Sequence, residues 1–455
     1  MTTPTASRVS PRVLAAILMA TVLNPLNSSM IAVALVPIRN DFDVGLVAIA
    51  WLISSFYVIA AVGQGVLGRL ADQLGPRRML CAGFVVVALA GALGPLAPSF
   101  GWLIAARLLL AVGTSAGFPA GLALLRNASG GYAPPPGTLA PLTIAGSATA
   151  ALGPVLGGGL VLLAGWHAIF FVNVALAVVA LPLALRWLPH DPQHRGGIDL
   201  PLVRRLVDVP GIAAFTVMLG SVLALLLSLA QSPPLYWLAP VALLAAGLLV
   251  VRSRRREDPF LDVRMLVADR RLLAVYAQYL LVNVVAFGVF FAVPIWLEGA
   301  RGDGPGTTGL LMSPLAGVAV IATPIAARLI ARRGVRPALL AGACAMVAGT
   351  LLLMTFGPGT PAVAILAVTC VLGVPIGFNN LGLQSALYAA SPPERTGAAG
   401  GLFQTARFTG AVLATSLIGI VFAGEVTSTG LHEIAATLAG VSAIVLLASM
   451  RALRR

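Results

Sequence analysis

Residues 68–80, GRLADQLGPRRML, decide how this chain is read. An apolar run ends just before them and another begins just after. Two glycines, Gly68 and Gly75, bracket one acid, Asp72, and three arginines, Arg69, Arg77 and Arg78, stand around it. A soluble protein could use such a segment as a turn between helices. Here both flanks are long enough to span a bilayer, so the stretch reads as a tight, cationic, non-translocated loop between two membrane helices.

The composition supports that reading. Of 455 residues, 59% are hydrophobic and 10% charged, where a soluble protein carries about 25% charged residues. A large soluble fold needs polar outer faces on its helices, and most of the apolar runs here have none. The chain is therefore an all-α polytopic membrane protein. Its net charge of +14 comes from 29 basic residues, all arginine, against 15 acids. These arginines lie between apolar runs and form no aromatic-interleaved surface, which argues against nucleic acid as a partner. Cys81, Cys344 and Cys370 lie in apolar runs without metal-ligand spacing and are expected to be small buried hydrophobes. The first apolar run is too long for a cleavable signal peptide.

Fourteen spans are predicted, at about 12–36, 45–67, 79–96, 102–125, 138–164, 168–188, 209–230, 236–251, 272–297, 309–330, 338–356, 362–390, 397–422 and 432–450. Polar segments divide them into an N-terminal six-helix bundle (1–188), a linker with two additional helices (189–271) and a C-terminal six-helix bundle (272–455). With the N-terminus in the cytoplasm, the outside receives only Arg39 and Arg301, and the even count returns the C-terminal RALRR to the cytoplasm. Both termini are expected there. The turn after the second span, GRLADQLGPRR, resembles AARLIARRGVRP (326–337) after the second span of the last six. Duplicated halves suit alternating access around a central site; two tight cytoplasmic turns can also look alike by chance.

Polar residues inside the apolar runs are the candidates for a transport path. Arg107 in the fourth span and Arg407 in the thirteenth are costly at such depth and should face a cavity or partner, although Arg107 lies close enough to the end of its span to snorkel outward. Gln404 shares a face with Arg407. Asn24 and Asn27 populate the first span beside Pro25, which invites a break in the helix; they serve either a ligand or helix–helix contact. Asn283 and Asn379 carry the same two readings, as do Gln64, Asn173, Gln278, Asn380 and Gln384. In the fifth span, GSATAALGPVLGGG (146–159), Gly153, Gly157 and Gly158 permit close helix approach and Pro154 invites a bend. No acid sits near mid-membrane. The titratable candidates for proton coupling are Glu298, Glu425 and Asp72, with His167 a further one, and a structural role is open for each. No catalytic constellation, metal cluster or cofactor loop is present, so energy would come from a gradient.

With these residues in place, the chain resembles the major facilitator superfamily over nearly its whole length, and more closely its fourteen-span drug:proton antiporter branch. Gly68, Asp72, Gly75, Arg77 and Arg78 match the signature between spans two and three, which implies a latch controlling the conformational switch, with Arg69 beside it. Gly153, Pro154, Gly157 and Gly158 match the antiporter signature of exporters. Trp51 and Tyr57 match the second-span pattern, and GWHAIFFVNV (165–174) resembles the entry to span six. Two departures stand out: Leu110 and Ala111 replace the frequent Gln and Gly after Arg107, and Asn27 replaces the acid common in the first span. The resemblance implies a major facilitator fold of fourteen helices (6 + 2 + 6). It further implies a secondary active exporter of small amphipathic compounds or drugs, driven by protons, in a bacterial cytoplasmic (inner) membrane. The expected partners are a small-molecule substrate, protons and the lipid bilayer, and the expected unit is a monomer. An exporter of a lipid, a metabolite or an iron chelator on the same scaffold, not coupled to protons because of Asn27, is the alternative.

Overall fold

A computed structural model describes residues 10–128, 136–191, 208–229, 233–256, 260, 269–390 and 396–451. Every regular element among them is helical. The first part of the chain forms α1 (Pro11–Met30), a 3-10 turn (Ile31–Val33), α2 (Leu35–Phe42), α3 (Leu46–Leu74), α4 (Pro76–Leu93), α5 (Phe100–Ser115), α6 (Gly117–Ala128), α7 (Pro136–Ala164) and α8 (Ala168–Trp187). Two helices follow, α9 (Val209–Ser228) and α10 (Leu238–Arg255). The remainder forms α11 (Arg270–Gly299), α12 (Pro305–Arg333), α13 (Val335–Leu353), α14 (Ala362–Ala390), α15 (Thr396–Val421) and α16 (Ser428–Arg451).

Eleven helices among the described residues are long and apolar enough to cross a membrane. Their outer faces carry large apolar side chains, with Val178 60%, Ile321 64% and Val363 76% exposed. Water would oppose such a surface, while hydrocarbon accepts it. The protein is a multi-pass membrane protein.

Two predicted spans are divided differently from the expectation. Pro25 lies inside α1 without ending it. It removes one backbone donor, which leaves the rest of the ladder intact, while Asn27 and Ser29 add side-chain bonds to the carbonyls of Leu23 and Pro25. The irregularity falls instead at the 3-10 turn before α2. The fourth span is broken at Ala116, between α5 and α6. There Gly117 meets the Ala20 carbonyl so closely that any side chain would collide with backbone. The cysteines also depart from the expectation: Cys344 is exposed and Cys81 and Cys370 only half-buried. Their helices turn these positions outward, where an apolar solvent tolerates a thiol.

α1 packs against α6, α7 and α8, α3 against α5 and α6, and α4 against α5 and α8. After the two-helix pair, α11 packs against α14, α15 and α16, and α13 joins α14 and α16. These two groups of helices meet along two long seams, α3 with α15 and α7 with α12. The resemblance between turns seen in the sequence has a backbone counterpart. Gly75 (φ +104°) joins α3 to α4, and Gly334 (φ +82°) joins α12 to α13. Each lets one helix stop and the next start without an intervening loop, in a conformation that a Cβ would strain.

The α9–α10 pair is tied together at Asp208, which is 2% exposed. Its carboxylate caps α9 by accepting from Gly211 N–H (3.2 Å) and also accepts from Arg252 Nε (2.5 Å) and Phe260 N–H (3.1 Å). Burial alone would raise its pKa. The bonds from Arg252, Phe260 and Gly211 and the charge of Arg252 outweigh burial and hold it below the usual carboxylate value. A depressed folded pKa contributes stability that is complete above about pH 4 and lost as pH falls through the folded value. Asp208→Asn is therefore expected to lower stability at pH 7 by about 1–3 kcal/mol. In thermal unfolding from pH 7 to pH 3, the gap between variant and parent should narrow below about pH 4. A gap that stays constant would show that the ionised carboxylate contributes nothing.

Candidate functional site: the seam between α3 and α15

The α3–α15 seam is closed along its length by a ladder of antiparallel contacts. At one end Ala50 sits over Gly419. The hydroxyls of Ser54 and Thr415 are hydrogen-bonded one step further. Tyr57 stacks on Phe408 with ring centroids 5.6 Å apart. Thr405 donates to the Ala61 carbonyl (3.2 Å), and Gln404 Nε2 donates to Gln64 Oε1 (3.3 Å) at the far end. Small and hydroxylated residues at intervals of three and four along both helices allow this close approach.

Tyr57 is the middle of this ladder. Its ring lies 5.1 Å from Phe287 and 6.2 Å from Phe291 of α11, and 5.5 Å from Phe56. An arginine stands on each side of this aromatic cluster. Arg107 of α5 is 1% exposed and holds its guanidinium over the Phe56 ring, 4.5 Å from the centroid. Its Nε and Nη2 are buried without hydrogen-bond partners. Arg407 of α15 lies 5.8 Å from the Phe287 ring and 5.9 Å from the Phe408 ring, and its Nε is likewise buried and unpartnered. The Tyr57 hydroxyl is buried too and makes no bond of hydrogen-bonding geometry; Ser28 is its polar neighbour, and both arginines are within electrostatic range. Neither arginine forms a salt bridge among the described residues. The desolvated cation–π contact of Arg107 returns about 2 kcal/mol or more, but it leaves Nε and Nη2 without hydrogen-bond partners.

The structure brings Arg107, Arg407 and Gln404 to this seam and places other sequence candidates elsewhere. Asn27 is engaged with Asn173 of α8 in a reciprocal amide pair (2.5 and 2.9 Å), and each amide also donates to the carbonyl four residues back. That joins two helices and leaves Asn27 little capacity for a ligand. Asn24 reaches Thr114 at 3.5 Å. Asn283 donates to the Tyr279 carbonyl (2.8 Å) and packs beneath Gly410. Asn379 is fully buried against Gly342, with neither amide atom bonded. Its neighbour Asn380 lines a narrow apolar cleft with Val282, Leu315, Met346 and Pro375.

The fifth-span glycines face two neighbours. Gly153 and Gly157 admit Ser29 and Met30 of α1 against the backbone of α7, and Gly158 meets the Pro305 carbonyl of α12. Gly309 meets the Pro154 carbonyl from the other side. In the opening stretch, Gly68 lies against Pro119 of α6. Backbone N–H groups of Arg77 and Arg78 donate to the Asp191 carboxylate (3.0 and 2.9 Å), and the Arg77 guanidinium donates to the Leu185 carbonyl. Asp191 thus caps the N-terminus of α4 from the end of α8, a role the sequence did not suggest. The side chains of Arg69 and Asp72, and with them the expected pairing of Asp72, lie outside the described residues. Glu425 is exposed in the turn before α16. Glu298, near the end of α11, has a buried Oε1 without a partner, with Thr308 and Asp303 beside it. The neighbouring Arg301 is engaged by Asp303 (3.1 Å) and the Thr360 carbonyl (2.7 Å).

Missed by the sequence reading were Phe56, Phe287, Phe291 and Phe408 as one cluster, and the Ser54–Thr415 contact. A phenylalanine in an apolar span carries no signal of its own. The available hint was Phe408 directly after Arg407.

A helical membrane protein with two groups of helices meeting at a seam that buries unpaired charge has the form of a carrier. The family model described as Major Facilitator Superfamily matches residues 17–415, and the chain belongs to that family of transporters. It is 37% identical over 415 residues to the MFS-type transporter YwoD of Bacillus subtilis, with 91% of each chain covered. It is 27% identical over 411 residues to the multidrug resistance protein Stp of Mycobacterium tuberculosis, covering 89% of this chain and 74% of that one. Among solved structures, the nucleoside transporter NupG aligns with a TM-score of 0.63 at 15% identity over 97% of this chain and 99% of that one, a likeness of fold alone.

Proposed function

We propose that this protein is a secondary active exporter of small amphipathic compounds that works by alternating access and is driven by protons. The observation that carries the reading is the α3–α15 seam, where two arginines and an aromatic cluster meet between the two groups of helices. Similarity to a multidrug resistance protein supports export of this kind. In this reading fourteen helices cross a bacterial cytoplasmic membrane as a monomer with both termini in the cytoplasm. Residues 1–188 and 272–455 form the two rocking bundles, and 189–271 carry the additional pair. Arg107, Gln404 and Arg407 line the path. The corner at Gly68, Arg69, Asp72, Gly75, Arg77 and Arg78 and the glycines of α7 guide the switch.

Asn27 cannot carry a proton, so coupling falls to another group. Glu298 suits the role best. It is shielded, it lies beside Thr308 at the α7–α12 seam, and its cationic neighbour is already engaged. Inverted vesicles loaded with an acidic interior should accumulate amphipathic dyes and lose them on addition of an uncoupler. Indifference to the uncoupler would overturn proton drive, and an absence of movement across a broad panel would overturn export. Glu298→Gln should cut gradient-driven accumulation at least tenfold and leave downhill movement; unchanged accumulation would exclude Glu298 as the coupling group.

A further inference from the structure

We infer that the seam is built to receive an organic anion: a flat aromatic compound bearing a carboxylate or similar acid, whose charge is met by Arg107 and Arg407 and whose ring is met by Tyr57, Phe287 and Phe408. The assignment rests on the transport reading above and adds to it the charge of the cargo.

The argument begins with an imbalance. Arg107 is almost completely buried, yet two of its three guanidinium nitrogens have no hydrogen-bond partner. Its guanidinium lies over the face of Phe56. Across the seam Arg407 is half-buried, with its Nε buried and unpartnered beside the Phe287 ring. No described carboxylate bonds to either. A protein that only needed these positions filled could place leucine or methionine there, without the desolvation penalty that a buried, uncompensated cation carries. What two such cations lack is an anion, and guanidinium matches a carboxylate by geometry as well as charge. The buried Tyr57 hydroxyl supplies a third donor within electrostatic range of both.

The surroundings determine the rest of the ligand. The arginines are separated by aromatic faces, and Tyr57 with Phe408 already forms a stacked pair at 5.6 Å and 21° between planes. A planar ring entering as the seam parts replaces one ring–ring contact with another. An organic cation meets the opposite of complementarity, two like charges with no acid to offset them.

The test uses the full chain in phosphatidylcholine nanodiscs and three probes of equal ring size: tritiated 2-naphthoate, 2-naphthylmethylammonium and 2-naphthylmethanol. Naphthoate should bind at least tenfold more tightly than the other two. Arg107→Gln and Arg407→Gln should each weaken it at least tenfold, with Arg407→Lys restoring part of the loss. Amine or alcohol binding as tightly as naphthoate, no naphthoate binding, or full affinity in both glutamine variants would overturn the inference. If the variants fail to fold, the charge series on the parent protein decides alone. Displacement by phosphatidylglycerol in the disc, or by sodium phosphate as effectively as by naphthoate, would assign the site to a headgroup or an inorganic anion and overturn the aromatic part. Proteoliposomes separate the two readings. Naphthoate that binds but does not move overturns export and leaves the site, whereas export of the amine without naphthoate overturns the site and leaves export.

Discussion

Arg107→Met is expected to make the protein more heat-stable and at the same time to reduce transport at least tenfold. The two effects share one origin. Arg107 is 1% exposed, and its Nε and Nη2 have no partner. Stacking on Phe56 returns about 2 kcal/mol or more, while each buried donor left without a partner costs about 1–3 kcal/mol, and more on a charged group. Methionine fills a similar linear volume and packs on an aromatic face without charge. The unfolding temperature in detergent should therefore rise by a few degrees, while a path that relies on the guanidinium loses its contact. A fall in stability would show that Arg107 is satisfied by its surroundings and serves packing. Unchanged transport would remove it from the path.

A disulfide between positions 54 and 415, made in the Ser54→Cys/Thr415→Cys variant with Cys81, Cys344 and Cys370 replaced by alanine, should reduce transport at least tenfold on oxidation, with recovery after dithiothreitol. The two hydroxyls already touch across the seam. The ladder from Ala50–Gly419 to Gln64–Gln404 holds both ends of α3 and α15 together, so the structure is closed toward both sides at this seam. Alternating access requires one end to part while the other stays shut. A covalent link near the Ala50 end leaves the Gln64 end free, so the locked protein should still bind substrate from that side but not release it on the other. Full transport by quantitatively cross-linked protein would show that this seam does not open.

Much of the fold was legible because a membrane interior restricts what a sequence can do. Backbone groups in hydrocarbon must bond within a helix, so long apolar runs translate directly into helices. Helices stand at the predicted segments, and the breaks between them fall close to the expected boundaries. Helix interruptions were less readable. Pro25 looks like a breaker and is not one: it costs a single donor, to the Thr21 carbonyl, and the helix runs on to Met30, whereas the break at Ala116 falls where α1 approaches Gly117. The site was half visible. Arginine in an apolar run is conspicuous on cost alone, which made Arg107 and Arg407 candidates, and the structure brings both to the seam between α3 and α15. Asn27 was equally conspicuous and proves engaged by Asn173, 146 positions away. A single sequence does not reveal such a partner, nor the aromatic residues that gather around Tyr57 from three helices.

The placement of α9 has a consequence for the speed of the cycle. It rests on α3 and α15 at once, with a methyl of Leu227 in the space over Gly419 and, from the following segment, the Phe260 ring over Gly65. α9 therefore roofs the seam on its outer flank. In the alternating-access reading proposed above, separation of α3 from α15 draws α9 away from one of them and opens a furrow to the surrounding acyl chains. Turnover is then expected to change with the chain length and unsaturation of the surrounding lipid, and equal rates in short- and long-chain proteoliposomes would show that this flank does not open.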